Sequence, residues 1–459
     1  MRYLAVACDY DGTVAKDGTV DPETIASLER TKASGRSLIL ATGRELEDLA
    51  QVFPAVGLFD RVVGENGAIV HDPRAGTTKR LAEPPPPRFI QMLRDRGVTP
   101  LSVGHVIVAT RQPNETVVLQ LIRDLGLELQ VIFNKGAVMV LPSSINKGLG
   151  VIAALEEMGL SPHNCVGVGD AENDHAFLSI CECSVAVANA LPGIKECADF
   201  VTQRTHGAGV RELLDLVITQ DLRSLEASLT RHDLVLGTRT DGAPVLLKAY
   251  GSTGLVLGPS ASGRSIAVIA ILEQLIDLGY QFCLVDPEGD HESLEGAVRL
   301  GNRERAPSVD EVLQLLGKVD KQVALNLTAL PFDSRADYFF TLHSRLLELR
   351  VKTGRPHWIV VDEARQVFPR GRDSTRASRP TELMSMIFAT VDPEQIDRDV
   401  LTATDTVIAV GSAASSLLAA FSKRVGRPAP AGSPQAVDEG EALLWRWRED
   451  ANSLLIKLS

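Results

Sequence analysis

The chain has 459 residues, more than one hydrophobic core usually serves, so at least two domains are expected. A hydrophobic fraction of 44% and a charged fraction of 23% exclude wholesale disorder. The net charge of -12 argues against non-specific nucleic-acid binding, which needs a basic surface; a basic channel inside an oligomer would be the exception. The six cysteines show no CxxC spacing and several lie in apolar runs, which points to buried free thiols in a reducing compartment. No stretch offers the roughly 18 uninterrupted apolar residues of a membrane helix, and the apolar run in MRYLAVACDYDGT is too short for a signal peptide. A cytoplasmic protein without a membrane partner is expected.

In chain order, YLAVAC, SLILAT, RVVGEN and CVGVGD read as buried strands, each ending in a polar or glycine-rich loop. Helix patterns separate them, as in PETIASLERTKASG, with Pro22 early and Gly35 at the end. This rhythm predicts an α/β fold, a Rossmann-like doubly wound parallel sheet whose ligands sit beyond the carboxyl ends of the strands. Between 79 and 142 the rhythm breaks. Pro84 to Pro87 punctuates the chain; RFIQMLRDRG and NETVVLQLIRDLG read as helices, and HVIVAT, LELQVIF and AVMVLP as strands, predicting a small α+β insertion. The expected organisation is a core of 1–78 and 143–218, the insertion 79–142, a linker 219–232 and a second α/β domain over 233–459. The tracts 370–380 and 426–434 read as loops, and no internal repeat is visible.

The first strand ends in Asp9-Tyr10-Asp11-Gly12-Thr13. Two carboxylates two residues apart past a buried strand need a cation or substrate to compensate them, although Asp-Gly is also a common tight turn. The second strand ends in Thr42-Gly43-Arg44, which offers a hydroxyl and backbone N–H groups to a phosphate oxygen. The third ends in Gly64-Glu65-Asn66-Gly67-Ala68; Lys147 opens a helix, and Gly169-Asp170-Ala171-Glu172-Asn173-Asp174 follows CVGVG. Singly, Lys147 is also readable as a solvated helix residue and Asp174 as a helix N-cap.

In this order the motifs resemble the haloacid dehalogenase superfamily of phosphatases over residues 1 to 215. Asn66-Gly67-Ala68 and the position of the insertion look like its Cof-type branch with a type II cap. The resemblance implies Mg²⁺ held by Asp9, Asp170 and the carbonyl of Asp11, Asp9 as nucleophile, and Asp11 as general acid and base. It gives Thr42, Gly43, Lys147 and Asn173 to the phosphate, with Lys147 also catalytic and Asp174 steadying the site from behind. A carboxylate is ionised at neutral pH and needs no base to attack phosphorus, whereas Asp11 needs a raised pKa to donate a proton. The short cap resembles that of archaeal phosphoglycolate phosphatases, so a small sugar or organic-acid phosphate is the expected substrate. Arg44 and Asn66, with Glu65, His105 and Arg111, are candidates to face the leaving group; each is also readable as a surface residue.

In the second half, GLVLG leads into Gly258-Pro259-Ser260-Ala261-Ser262-Gly263-Arg264-Ser265, a GxxxxGxS spacing between a strand and a helix. Arg264 stands where a phosphate-binding P-loop carries lysine, and a planar guanidinium does not replace a compact ammonium. Strand FCLVD runs into Asp286-Pro287-Glu288-Gly289-Asp290, and HWIVVDEARQVFP places Asp362-Glu363 past an apolar strand. The order resembles the FtsK/HerA-type P-loop ATPases over residues 230 to 459. That implies ATP or another nucleotide at Gly258, Ser260, Gly263, Arg264, Ser265, Asp362 and Glu363, and a homo-oligomer formed through this domain. With Arg264 in the motif, binding without efficient hydrolysis is expected. Three functions compete: a metabolite phosphatase with a regulatory domain, an ATP-driven nucleic-acid translocase carrying an accessory phosphatase, and a phosphatase gated by nucleotide at Ser265.

Overall fold

The computed structural model describes residues 1–134, 136–259, 263–371, 383–431 and 437–458. Ser260, most of the arginine-rich tract 370–380 and residues 432–434 lie outside them. The chain forms two compact units, Met1–Leu229 and Thr230–Ser459.

The first unit is built on β1 (Ala5–Asp9), β2 (Ser37–Ala41), β3 (Arg61–Gly64), β4 (Ile69–Asp72) and β5 (Thr77–Arg80). A smaller sheet follows, of β6 (Leu101–Val103), β7 (Val108–Arg111), β8 (Leu129–Asn134) and β9 (Ala137–Pro142). The chain then returns with β10 (Cys165–Gly169), β11 (Cys183–Ala186) and β12 (Phe200–Val201). Among the described residues the main sheet runs β12-β11-β10-β1-β2-β3-β4-β5, parallel as far as β3, with β4 and β5 antiparallel at the edge. The hairpin of β4 and β5 is short and polar at Thr77–Arg80, which hid it from the reading of apolar runs. From β1 the chain leads to β2 on one side and, after the insertion, β10 on the other. The strand order reverses there, and a crevice opens at the carboxyl ends. Helices complete the frame. Asp21 caps Pro22–Ala33 by accepting the N–H of Thr24 at 2.9 Å, and Asn146 caps Lys147–Glu157 by accepting that of Leu149 at 3.0 Å. The cap insertion packs its two helices, Pro87–Asp95 and Glu115–Asp124, on its own sheet around Phe89, Leu93, Val118 and Leu121.

The second unit contains β13 (Leu234–Thr238), β14 (Pro244–Leu247), β15 (Thr253–Leu257), β16 (Phe282–Asp286), β17 (Ala297–Leu300), β18 (Gln322–Asn326), β19 (Trp358–Val361), β20 (Met386–Thr390), β21 (Thr406–Val410), β22 (Glu441–Trp445) and β23 (Leu454–Leu458). They form one sheet in the order β14-β13-β23-β22-β21-β15-β20-β19-β16-β18-β17. Alternate residues of the central strands enter two separate cores. Leu255, Val285 and Ile359 face one, and Val256, Leu284 and Val360 the other. A sheet covered on both faces explains why these strands read as continuous apolar runs. No helix among the described residues is long and apolar enough to cross a membrane.

Candidate active site

Strands β1, β2, β3 and β10 deliver their polar ends to one crevice. Asp9, Asp170 and Asp174 are buried, and their carboxylates lie within 4.8 Å of one another. Lys147, in the first turn of its helix and 2% exposed, reaches Asp9 Oδ1 and Asp174 Oδ1, both at 2.6 Å. Asp174 also accepts the N–H groups of Asp170 and Ala171 at 2.9 and 3.0 Å, which fixes the loop after β10. Three carboxylates against one ammonium leave a formal excess of two negative charges, a donor set of hard oxygens that a divalent cation fits. Burial, then Asp174, pushes the Asp9 carboxyl well above the usual range, while Lys147 pulls it back. Burial works against the Lys147 charge, but Asp174 and Asp9 outweigh it and hold the ammonium above its ordinary value.

The other predicted residues bond among themselves. Asp11 turns to Arg44, whose Nε and Nη2 donate to its two oxygens at 2.7 and 2.8 Å; Arg44 also bonds Asp48 at 2.5 Å and lies over the Tyr10 ring. That bidentate pair holds the Asp11 side chain against the loop after β2. Thr42 is fully buried and its Oγ1 accepts the N–H of Arg44 at 3.1 Å. Asn173 Nδ2 donates to Asn66 Oδ1 at 2.9 Å, so both amides join loops to each other. Glu65, one of the candidates to face the leaving group, is fully buried, with its carboxylate turned to the backbone N–H groups of His105, Val106 and Ile107. Gly67 has φ +100°, and a Cβ there would lie 1.9 Å from the Asn146 carbonyl, so only glycine permits the approach of β3's turn to the Lys147 helix.

Around Asp9, Asp11, Gly43, Arg44, Lys147 and Asp170 opens a cleft of about 860 Å³, walled on the cap side by Ile107, Ala109 and Arg111. Asn189 and His206 also line it and were not anticipated. Asn189 lies three residues past β11, so the strand-end rule that found Asp170 would have found it. His206 carries no such signal; its φ of +52° is set by its N–H bond to Asn189 Oδ1 at 2.7 Å.

In the second unit, Gly258 follows β15, Asp362-Glu363 follows β19, and Arg264 opens the helix Arg264–Asp277 after Gly263. Arg264 is fully buried. Its Nη2 pairs with Glu363 and lies 3.7 Å from Asp362 Oδ1. Asp362 Oδ2 contacts His291 Nε2 at 2.8 Å, and Asp286 accepts the N–H groups of Gly289, Asp290 and His291. Burial would lower the His291 pKa, but the bond to Asp362 and the charges of Asp362, Asp286 and Asp290 raise it above 6.5. Its contribution to stability is therefore complete below that value and is lost as pH rises through the raised one. Burial likewise raises the Asp286 carboxyl, so that group acts in the same direction at acid pH. Burial opposes the Asp362 charge, yet His291 and Arg264 hold its carboxyl below 3.8, a contribution lost only as pH falls through the depressed value. Urea unfolding of this unit should show a midpoint that falls from about pH 6 to about pH 9, and His291→Gln should flatten that slope. An unchanged slope in the variant would remove His291 from the explanation.

The pattern of haloacid dehalogenase-like hydrolases matches residues 6–101 and 103–214. The chain is similar to the phosphoglycolate phosphatase of Methanothermobacter thermautotrophicus, 31% identical over 215 residues that span 45% of this chain and 96% of the relative. It is also similar to phosphoglycolate phosphatase 2 of Saccharolobus solfataricus, 30% identical over 224 residues, 47% of this chain and 93% of the relative. The phosphoglycolate phosphatase of Methanosarcina acetivorans is 27% identical over 223 residues, 47% of this chain and 97% of the relative. Through its first unit the chain belongs to the haloacid dehalogenase-like hydrolases, as an enzyme acting on phosphoric monoesters.

Proposed function

We propose that the first unit hydrolyses a small phosphorylated organic acid, of the phosphoglycolate class, through a phosphoryl group carried on Asp9. The observation that carries this reading is the buried Asp9–Lys147–Asp174 array beside Asp170 at the floor of the cleft. Asp9 attacks phosphorus with a carboxylate oxygen, and the bond from phosphorus to the leaving oxygen breaks. Asp11 gives that oxygen a proton. It then takes one from the water that attacks the aspartyl-phosphate, so that phosphate leaves and Asp9 is regenerated. To carry a proton Asp11 must first be released by Arg44, which the arrival of a substrate anion at the guanidinium would achieve. Lys147 and the N–H groups around Thr42 and Gly43 hold the phosphoryl oxygens. Asp9, Asp170 and the Asp11 carbonyl would hold Mg²⁺, which when bound offsets the carboxylate charge and polarises the phosphoryl group. Arg111 on the cap wall would meet the substrate carboxylate, which together with the names of the similar proteins favours an acid over a neutral sugar phosphate.

The test is phosphate release from 2-phosphoglycolate and from sugar monophosphates. Turnover should require Mg²⁺, vanish with EDTA and return with added Mg²⁺. Activity that survives chelation would remove the metal from the scheme, and a faster neutral sugar phosphate would remove Arg111 as an acid-recognising group.

For the second unit the reading is a P-loop-like fold that binds nucleotide phosphates without efficient turnover. Among the described residues, the buried Arg264 Nε and Nη1 and the buried Thr390 Oγ1 at the end of β20 have no hydrogen-bond partner, which supports a phosphate ligand nearby. The pairing of Arg264 with Glu363 argues against hydrolysis, because it neutralises the carboxylate that would activate water. An ATP-driven translocase is less well supported for the same reason.

A further inference from the structure

The turn after β3 touches the loops after β2 and β10 and the start of the Lys147 helix. Glu65 and Asn66 have left-handed backbone, φ +52° and +55°, a strained conformation for residues other than glycine. Their N–H groups donate to the carbonyls of Arg44 and Thr42, both at 3.0 Å, which ties the turn to the phosphate loop. The Glu65 side chain points the other way, into the cap. Its Oε1 accepts the N–H of His105, and its Oε2 those of Val106 and Ile107, all at 2.8 Å. Glu65 is 0% exposed, so these three backbone donors are what compensate its buried carboxylate. The fit leaves no slack, since a Cβ on Gly104 would lie 2.6 Å from Glu65 Oε1. The segment so held runs directly into β7, and Ile107, Ala109 and Arg111 of that stretch form the cap wall of the cleft.

We propose that Glu65 is the positioning residue that latches the cap to the phosphate loop and thereby sets the leaving group the cleft accepts. One carboxylate fixes the distance between the groups that hold phosphate and the wall that meets the rest of the substrate. Glutamine cannot replace it, because its amide nitrogen would face a backbone donor. This inference rests on the phosphatase reading for its effect on selectivity, but the latch itself can be measured without turnover.

The experiment compares the full chain with Glu65→Gln and Gly104→Ala, by hydrogen exchange of the 104–108 segment and by kinetics on 2-phosphoglycolate and a bulky aryl phosphate. Gly104→Ala leaves the carboxylate intact and crowds it, so it tests the latch even if Glu65→Gln folds poorly. Loss of the charge-assisted bonds should speed exchange in this segment about ten-fold or more in both variants. The kcat/KM for 2-phosphoglycolate should fall about ten-fold or more, chiefly through KM, with less than about a three-fold change for the aryl phosphate. Unchanged exchange in both variants would overturn the latch. Equal losses in kcat on both substrates would overturn its role in selectivity. A wild-type protein that turns over neither substrate would sink the phosphatase reading and the selectivity claim with it, while exchange would still decide the latch.

Discussion

Asp9→Asn should lower phosphate release by about four orders of magnitude or more, because the amide oxygen is a poor nucleophile and no neighbouring group replaces it. Asp170 and Asp174 are close, but Asp174 is engaged by Lys147 and two backbone N–H groups. The same substitution should not unfold the protein. Burial and the neighbouring carboxylates push Asp9 well above its ordinary pKa, so near neutrality its charge is a destabilising element of the metal-free site. An amide of the same shape still accepts from Lys147. Without metal the variant should therefore melt at the same temperature as wild type or higher. Activity lost together with stability would mean that Asp9 is structural. Full activity in the variant would remove it as nucleophile.

Arg264→Ala should destabilise the second unit by about 3 kcal/mol, the low end for breaking a buried pair. Glu363 and Asp362 lose their shared cation but keep Arg365 and His291. For a unit of this size that corresponds to a fall of roughly 10 °C in melting temperature, with the first unit's transition unmoved. The loss comes from breaking the pair, so removing both charges in Arg264→Met/Glu363→Gln should recover much of it. Calorimetry of the single and double variants distinguishes this from lost packing, which the double variant would not recover. A neutral Arg264→Ala would show that the guanidinium does not compensate these carboxylates. The wild-type domain should also show no Mg²⁺-dependent ATP turnover.

What was legible in the sequence were positions, and what was not were directions. Asp9, Thr42, Lys147 and Asp170 stand next to strands or helix starts, which periodicity locates, and the end of a parallel strand is where ligands bind. The direction of Asp11 was not legible, because its partner Arg44 lies 33 residues away on another strand's loop. Glu65 reads as one more polar residue beside Asn66; only the folded cap brings the N–H groups of residues 105–107 to it. Arg264 was visible as a departure from a motif, but its burial against Glu363 depends on β19 and β15 sharing a sheet with β20 between them. Apolar patterning reports where the chain is buried. Pairings across 30 to 100 residues depend on geometry that patterning does not carry.

The most direct measurement for the account as a whole is rapid acid quench during turnover of 2-phosphoglycolate, followed by mass spectrometry of the peptide bearing Asp9. One added phosphoryl group is expected on Asp9, present only during turnover and absent in Asp9→Asn. Sustained phosphate release with no adduct on that peptide, or an adduct that persists in Asp9→Asn, would contradict it.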